Sequence, residues 1–162
     1  MISDFKAEFY DQFLQLNEEF VHWLSPMDEA RLKWVLRRAS YARQIESAPG
    51  VLGGALIGYA HDVDYPDHKN LNWLSKELDE YFYIDRMIIS AKSQGRGYGA
   101  KLYDDIADFA LSRGYGYLAC EVNTKPNNPS SHIFHEKMGF KAIGDKEYPA
   151  YNAALRYYAK AL

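Results

Sequence analysis

Three alternating glycines, Gly95, Gly97 and Gly99, separate two segments of different pattern. The segment before them, Tyr81–Ile89, is rich in aromatic and β-branched residues and predicts a strand. The segment after them carries apolar residues at helical spacing and predicts a helix. A glycine-rich turn that opens a helix presents free backbone N–H groups at the positive end of the helix dipole. The spacing therefore predicts an anion site, and phosphate is the usual occupant of such a site.

Two well-known phosphate loops fit this turn poorly. A nucleoside triphosphate loop would need Lys and then Ser or Thr after a glycine, whereas Gly99 is followed by Ala100 and Lys101. A dinucleotide fold would need G-x-G-x-x-G directly after the strand, and residues 90–94 intervene here. Glu121 does follow at about the distance expected for a carboxylate that binds a ribose, so a nucleotide-dependent oxidoreductase stays open as an alternative.

A second motif follows the glycine turn, from Asn128 to Phe140, and reads Asn-Pro-Ser-Ser-His-Ile-Phe-His-Glu-Lys-Met-Gly-Phe. It resembles a motif of the GCN5-related N-acetyltransferase (GNAT) superfamily, in which Asn precedes a short helix that ends in a Tyr-Glu-Lys-Leu-Gly-Phe-like run. The earlier pattern Gln94-x-x-Gly97-x-Gly99 resembles the pyrophosphate-binding loop of the same superfamily. Both motifs occur in the right order, and the resemblance is specific over residues 81–144.

The resemblance implies an α+β fold of one domain over residues 1–162, with a mixed, mostly antiparallel sheet that splays into a V and is flanked by helices. It implies an N-acyltransferase that moves an acetyl group from acetyl-CoA (coenzyme A) to a primary amine by direct attack. The acceptor is left open between a small-molecule amine and an amine of a protein or peptide, and a homodimer is compatible with the family. The alternative of a different class is an acyl-CoA-binding module of this fold that does not catalyse.

The resemblance also assigns residues to the acyl-CoA site. Backbone groups of the first splayed strand are expected to bind pantetheine and polarise the thioester carbonyl at Met87, Ile88 and Ile89. The pyrophosphate loop corresponds to Gln94, Gly95, Arg96, Gly97, Tyr98 and Gly99. In the second motif, the residues expected on the cofactor side are Asn128, Ser131 and Phe134. Asn128 fits the cap of the last helix equally well, and Phe134 fits a core position.

Acetyl transfer to an amine uses a base that takes a proton from the nitrogen and a donor for the departing thiolate. The superfamily commonly places a tyrosine as the acid, and the matching residue here is His135, whose imidazole can donate a proton near neutral pH. Strand alternation over residues 117–122 puts Glu121 in apolar surroundings, where burial would raise its pKa and suit it as the base. Asp85 is the second candidate base, although an ion pair with Arg86 is the favoured interpretation of that position.

The remaining chemistry-bearing residues predict no further site. His132 and His135 have H-x-x-H spacing, but no third ligand lies nearby, and no metal is predicted. Cys120, the single cysteine, is expected to be a small buried residue and matches a reducing cytoplasm. A net charge of −3 argues against nucleic acid or an anionic membrane as the main partner. No apolar run is long enough to span a bilayer.

The rest of the chain must supply the elements that position these residues. In chain order, the expected strands are 9–16, 41–47, 51–60, 81–89, 117–122, 140–143 and 153–159. Helices are expected to begin at Ser25-Pro26, at the glycine turn and at Ser130, and residues 61–79 are expected to form a loop. This alternation favours a mixed α+β sheet.

Overall fold

The computed structural model describes residues 1–162 and contains one seven-stranded sheet with helices on both faces. The strands are β1 (Ile2–Asp4), β2 (Tyr41–Ala48), β3 (Val51–Ala60), β4 (Tyr81–Ile89), β5 (Tyr117–Lys125), β6 (Lys141–Tyr148) and β7 (Ala153–Ala161). The helices are α1 (Tyr10–Glu19), α2 (Glu29–Leu36), α3 (Lys69–Glu77), α4 (Tyr98–Ser112) and α5 (Pro129–Lys137). No helix is both long and apolar enough to cross a membrane.

The strand order is β1-β2-β3-β4-β5-β7-β6, and only the central pair β4–β5 is parallel. This confirms the expected mixed, mostly antiparallel sheet. The parallel pair is short, because residues 81–83 of β4 pair with residues 117–119 of β5 and the ladder then stops. Beyond this point the facing edges of β4 and β5 have no strand partner, so their outward backbone N–H and C=O groups are free to bind another molecule.

A β-bulge lies in β4 just past the point where β5 departs. Gly58 of β3 lies opposite Ile84, whereas its neighbour Ile57 lies opposite Arg86, so Asp85 is an extra residue in β4. Because side chains alternate between the faces of a strand, one extra residue reverses the face of every later side chain. Asp85 and Arg86 therefore both contact elements of the same face of the sheet.

Each face of the sheet covers its own apolar core. On one face, α1, α2 and α3 pack over buried residues that include Phe13, Leu32 and Leu74. On the other face, α4 and α5 pack over residues that include Ile106 and Phe140. The alternation expected in β5 is confirmed, since its even-numbered residues 118–122 lie in the second core and residue 119 lies in the first.

The expected strand over residues 9–16 is wrong, because this segment is a short 3₁₀ turn followed by α1. Its buried residues are Phe9, Phe13, Leu16 and Asn17, a spacing of three and four residues that places them on one helical face. The helix expected from Ser25-Pro26 also begins later, at Glu29.

The start of that helix is set by Asp28, whose carboxylate accepts a hydrogen bond from the backbone N–H of Arg31 at 2.7 Å. The expected loop over residues 61–79 contains α3, which the sequence does not signal with an ordinary cap. His68 caps it instead, because its Nδ1 accepts a hydrogen bond from the N–H of Leu71 at 3.2 Å. Strand β1 was not expected either. The other expected strands and helices are present, although β5 and β6 run further than predicted.

We expect Gly58→Ala to lower the free energy of unfolding by about 1–3 kcal/mol, because a Cβ there would lie 2.8 Å from the carbonyl oxygen of Tyr83 and from the Phe82 ring. The close contacts of this Cβ would lie beside the Asp85 bulge of β4. The matched control is Gly116→Ala, whose Cβ would meet no atom within 4 Å. Chemical denaturation of both variants is the measurement, and equal stability of the two would contradict the close packing at this point.

Candidate functional site

The separation of β4 and β5 opens a cavity of about 510 Å³, a size typical of small-molecule sites. The walls are β4 from residue 84 onward, the glycine turn with the start of α4, β5 from Cys120 onward, and the first turns of α5. The connection between α1 and α2 closes the remaining side with Phe20, Trp23 and Leu24. The cavity is thus bounded by elements from both faces of the sheet.

The residues predicted from the sequence converge on this cavity. Those that line it are Asp85, Met87, Ile88, Ile89, Gln94, Gly95, Gly97, Tyr98, Gly99, Glu121, Asn128, Ser131, Phe134 and His135. Arg96 is the exception, because it lies exposed on the glycine turn and outside the cavity wall. These residues therefore line one common cavity, while their individual roles stay predictions.

The glycine turn leaves the first turn of α4 without a side-chain cap. Gly95 and Gly97 adopt left-handed backbone conformations, with φ of 77° and 74°, and Gly97 is the N-cap residue. No side chain accepts from the first N–H groups of α4, and no acidic residue lies in its first turn. The helix therefore presents free donors and its positive dipole end to an anion. Gly99 serves packing, since a Cβ there would lie 3.3 Å from the Phe134 ring.

Glu121 stands at the end of a chain of hydrogen bonds on the α3 face of the sheet. The Tyr83 hydroxyl donates to the two carboxylate oxygens of Glu121 at 2.9 and 2.8 Å, and accepts from the Asn70 amide nitrogen at 3.3 Å. The Tyr157 hydroxyl donates to the Asn70 amide oxygen at 2.8 Å. Since this uses the Tyr157 hydrogen, the Tyr148 hydroxyl donates to Tyr157, at 2.6 Å. Every bond of the chain is thus directed toward the carboxylate.

The pKa of Glu121 is raised to about 8. Burial of the carboxylate is the main cause, and the negative charge of Asp85 adds to it, while the hydrogen bond from Tyr83 acts in the opposite direction. A carboxyl group with a pKa in this range is protonated at low pH and becomes a proton acceptor in mildly alkaline solution. Glu121 has the property that the sequence predicted for it, and its role as the base stays a prediction.

Asp85, the residue added by the bulge, is held by two neighbours. His68 uses its Nδ1 to cap α3, so its Nε2 carries the hydrogen and lies 3.2 Å from the Asp85 carboxylate. Arg86 Nε lies 3.6 Å from the other carboxylate oxygen, which is the ion pair expected from the sequence. The Arg86 guanidinium also donates to Asn17 and to Ser25, so this side chain holds the α1–α2 connection against the cavity.

His135 lies on the opposite wall, on α5, where it is buried against Tyr103 of α4. Its Nδ1 is 2.7 Å from the Ser131 carbonyl oxygen, which can only accept, so Nδ1 carries a hydrogen. Burial lowers the pKa of His135 to about 4, and the ring is neutral at pH 7. Its Nε2 therefore has a free lone pair, which accepts a hydrogen bond from the Tyr103 hydroxyl at 2.7 Å. In this arrangement the imidazole has no free N–H to offer the cavity.

The other candidate ligands of a metal are occupied by the protein. His132 contacts the Tyr158 hydroxyl at 2.6 Å and the Asn123 carbonyl oxygen at 3.0 Å. No group of three or more His, Cys, Asp or Glu side chains is arranged to hold a metal ion. Cys120 is buried, and burial raises the pKa of its thiol well above the usual value, so it is not a thiolate near neutral pH.

Sequence reasoning missed several residues of this site. The helical pattern after the glycine turn includes Tyr103 only as one of its apolar positions, although a tyrosine in such a stripe needs a partner for its hydroxyl. Tyr83 reads as an ordinary strand residue, and Asn70 lies in a segment expected to be a loop. Trp23 was not assigned at all. Only the three-dimensional structure places Tyr103 and Trp23 in the lining of the cavity and Tyr83 and Asn70 behind Glu121.

Comparison with known proteins gives one family and one fold. The model of the acetyltransferase (GNAT) family matches residues 6–140. Ard1 from Thermoplasma volcanium superposes with a TM-score of 0.79 at 13% identity, over 100% of this chain and 97% of that one. The ribosomal-protein-alanine N-acetyltransferase from Brucella melitensis superposes with a TM-score of 0.74 at 16% identity, over 100% and 99%.

A third similar structure, Naa20 from Chaetomium thermophilum in complex with a bisubstrate analogue, has a TM-score of 0.78 at 14% identity, over 100% of this chain and 86% of that one. At these identities the structures show a common fold. No curated protein matches the sequence.

We expect Tyr83→Phe to raise the pKa of Glu121 further, by about one pH unit, because it removes the hydrogen bond that stabilises the carboxylate. The measurement is a pH titration of the Glu121 carboxyl carbon by NMR. Tyr81→Phe is the control, since the Tyr81 hydroxyl contacts Ser75 and the Leu71 carbonyl and not Glu121. A Tyr83→Phe titration that coincides with the wild type would show that the hydroxyl does not govern this carboxylate.

Proposed function

The chain belongs to the GNAT acetyltransferase family, and we propose that it transfers the acetyl group of acetyl-CoA to a primary amine that attacks the thioester directly. The observation that carries this proposal is that one cavity joins an uncapped helix N-terminus to two carboxylates. The helix end suits an anionic group, and the carboxylates suit an amine, which is cationic in its resting form.

The residues of the cavity fit the parts of acetyl-CoA. The first-turn N–H groups of α4 and the backbone of the glycine turn would hold the diphosphate. The edge of β4 past residue 83 has no strand partner on the β5 side, so its N–H and C=O groups would bond the amides of pantetheine. Bound here, acetyl-CoA supplies an electrophilic thioester carbonyl and a thiolate leaving group.

The carboxylate wall would prepare the amine. A primary ammonium group has a pKa near about 10.4 and must lose a proton before its nitrogen can attack. Glu121, with a pKa of about 8, takes up that proton in mildly alkaline solution and does not do so once it is itself protonated. Asp85, fixed by His68 and Arg86, adds negative charge that attracts the ammonium form.

The acceptor is a primary amine of a small molecule or of a protein or peptide. Phe20 and Leu24, which pack on the same face as α1–α3, place apolar surface in the cavity together with the two carboxylates. One structurally similar protein is by name a ribosomal-protein-alanine N-acetyltransferase, so peptides with a free N-terminus belong in the test panel. A cytoplasmic location and a homodimer stay predictions from the sequence.

The first experiment is a calorimetric titration with acetyl-CoA, with NADPH and ATP as controls, followed by turnover with amino-acid amides, short peptides and small amines. Saturable binding of acetyl-CoA alone, with acetylation of at least one amine class, is the expected result. Binding of acetyl-CoA without turnover of any amine would favour the non-catalytic binding module. Binding of NADPH without acetyl-CoA would favour the oxidoreductase.

We expect Gly97→Asp to weaken acetyl-CoA binding by about 10- to 100-fold, because a carboxylate at the N-cap occupies the free N–H groups of α4 and repels the diphosphate. Gly97→Asn is the matched control, since it has the same shape and the same left-handed backbone requirement but no charge. Calorimetry with both variants is the measurement. Equal loss in Asp and Asn variants would mean that the charge at this helix end is not what acetyl-CoA senses.

We expect kcat/KM of the wild type to rise with pH through about 8, the pKa of Glu121, since only the ionised carboxylate accepts a proton. Glu121→Gln should lower kcat/KM by about 10²-fold and flatten the profile in this range. The check is the pH dependence of initial rates with one acceptor, with circular dichroism to verify the fold. A Glu121→Gln profile that keeps the same rise would assign the base to another group.

A further inference from the structure

The wall of the cavity formed by α4, α5 and one side of β5 faces away from Glu121. Tyr83 and its partner Glu121 lie on the α3 side of the sheet. A group on this second wall can therefore approach the thioester sulfur from the side opposite the proposed base. The side chains on this wall that carry a hydroxyl, thiol or imidazole proton are those of Tyr98, Tyr103, Cys120, Ser130, Ser131 and His135. One of them is suited by geometry to act on a departing thiolate.

His135 is poorly placed to donate a proton itself. Its single N–H, on Nδ1, points to the Ser131 carbonyl oxygen at 2.7 Å, and its Nε2 accepts from Tyr103. To donate into the cavity, the ring would have to break both bonds or become charged in a place where burial opposes the charge. Cys120 offers only a weak S–H donor.

Tyr103, unlike His135, has a donor hydrogen that can turn toward the cavity. It is 2% exposed, it lines the cavity, and its hydroxyl has one partner, Nε2 of His135, at 2.7 Å. The titratable groups around it are His135 of α5, Cys120 of β5 and, from the other face of β5, Glu121; burial raises the pKa of Tyr103 well above its usual value. The hydroxyl therefore keeps its hydrogen across the working pH range. It can rotate that hydrogen from a neutral imidazole to a thiolate, because a charged acceptor forms the stronger bond.

We propose, on the basis of the acetyltransferase function above, that Tyr103 is the catalytic donor to the departing sulfur and that His135 is the positioning residue that holds its hydroxyl. The Nδ1–H bond to Ser131 fixes the imidazole in the tautomer that presents a lone pair to Tyr103. The Phe134 and Phe140 rings, in edge contact with the Tyr103 ring at centroid distances of 5.2 and 5.6 Å, fix the phenol itself.

The proton balance of the step closes without a further reactant. The amine nitrogen forms a bond to the thioester carbonyl carbon, the carbon–sulfur bond breaks, and the sulfur leaves with the bonding electron pair. Tyr103 gives its hydroxyl hydrogen to that sulfur, and the amine gives one proton to Glu121. Glu121 then releases its proton to water, and Tyr103 recovers a proton from water. The products are an amide and a thiol.

A binding experiment tests this donor without turnover. Calorimetry compares CoA with desulfo-CoA, which lacks the thiol, across the pH range around about 8.5, where a free thiol ionises. In the wild type the affinity ratio of CoA to desulfo-CoA should rise with pH, because Tyr103 donates to the thiolate. In Tyr103→Phe the ratio should be about tenfold smaller at alkaline pH.

The matched control is Tyr41→Phe, which removes another buried phenol hydroxyl from the same core but lies outside the cavity, where it donates to Asp105 at 2.6 Å. It should keep the wild-type ratio. If CoA and desulfo-CoA both fail to bind the wild type, the acetyltransferase proposal fails and Tyr103 loses its substrate. If both bind and the ratio is the same in all three proteins, only the role of Tyr103 is overturned.

Kinetics separate Tyr103 from His135. Tyr103→Phe should lower kcat by about 10²-fold with little change in KM for acetyl-CoA. Replacing the reacting sulfur by selenium should make the loss of kcat in Tyr103→Phe smaller, since a selenolate is a better leaving group and depends less on a hydrogen donor. His135→Gln keeps an acceptor for the Tyr103 hydroxyl and should retain most of the rate, whereas His135→Phe should lose as much as Tyr103→Phe. Equal losses in both His135 variants with a fully active Tyr103→Phe would make His135 the donor instead.

Discussion

The early end of the β4–β5 ladder is the constraint on which the rest of the structure depends. Two strands in the middle of a sheet normally satisfy each other's backbone groups, and here they do so for only three residues on each side. The Asp85 bulge lies directly beyond this point, and a bulge bends its strand and increases the local twist. The cavity, its unpaired strand edge and the entry to the glycine turn all follow from this one departure from regular pairing.

The bulge also decides which side chains meet in the cavity. Without the extra residue, Arg86 would face α4, and its bonds to Asn17 and Ser25 on the α1 side would be lost. With it, Asp85 and Arg86 act on the same face, one beside Glu121 and the other on the α1–α2 connection. The sheet thereby separates two environments, a carboxylate wall on the α3 side and a neutral hydrogen-bonded wall of Tyr103 and His135 on the α4 side.

Much of this arrangement could be predicted from the sequence, because it rests on local signals. Composition and spacing predict the glycine turn, the strand before it and the helix after it. The face of the sheet on which Glu121 lies follows from the alternation of side chains in β5. The bulge gives no such signal, because nothing in the run Ile84-Asp85-Arg86-Met87 marks one residue as extra. Helix α3 was missed because a histidine caps it, and the bonds that join Asn70, Tyr83 and Tyr157 connect residues far apart in the chain.

The hydrogen-bond chain that ends at Glu121 determines by which route a proton can leave the site. Hydroxyl groups can pass a proton along by exchanging donor and acceptor, but the link between Tyr157 and Tyr83 is the side-chain amide of Asn70, which accepts with its oxygen and donates with its nitrogen. Such a link holds a carboxylate in place and does not conduct protons. A proton bound by Glu121 therefore has no route to solvent through the protein behind it and must leave through the cavity. Deprotonation of the base and departure of the products then both take place through the cavity, so the site must admit water in every catalytic cycle before it can accept the next amine.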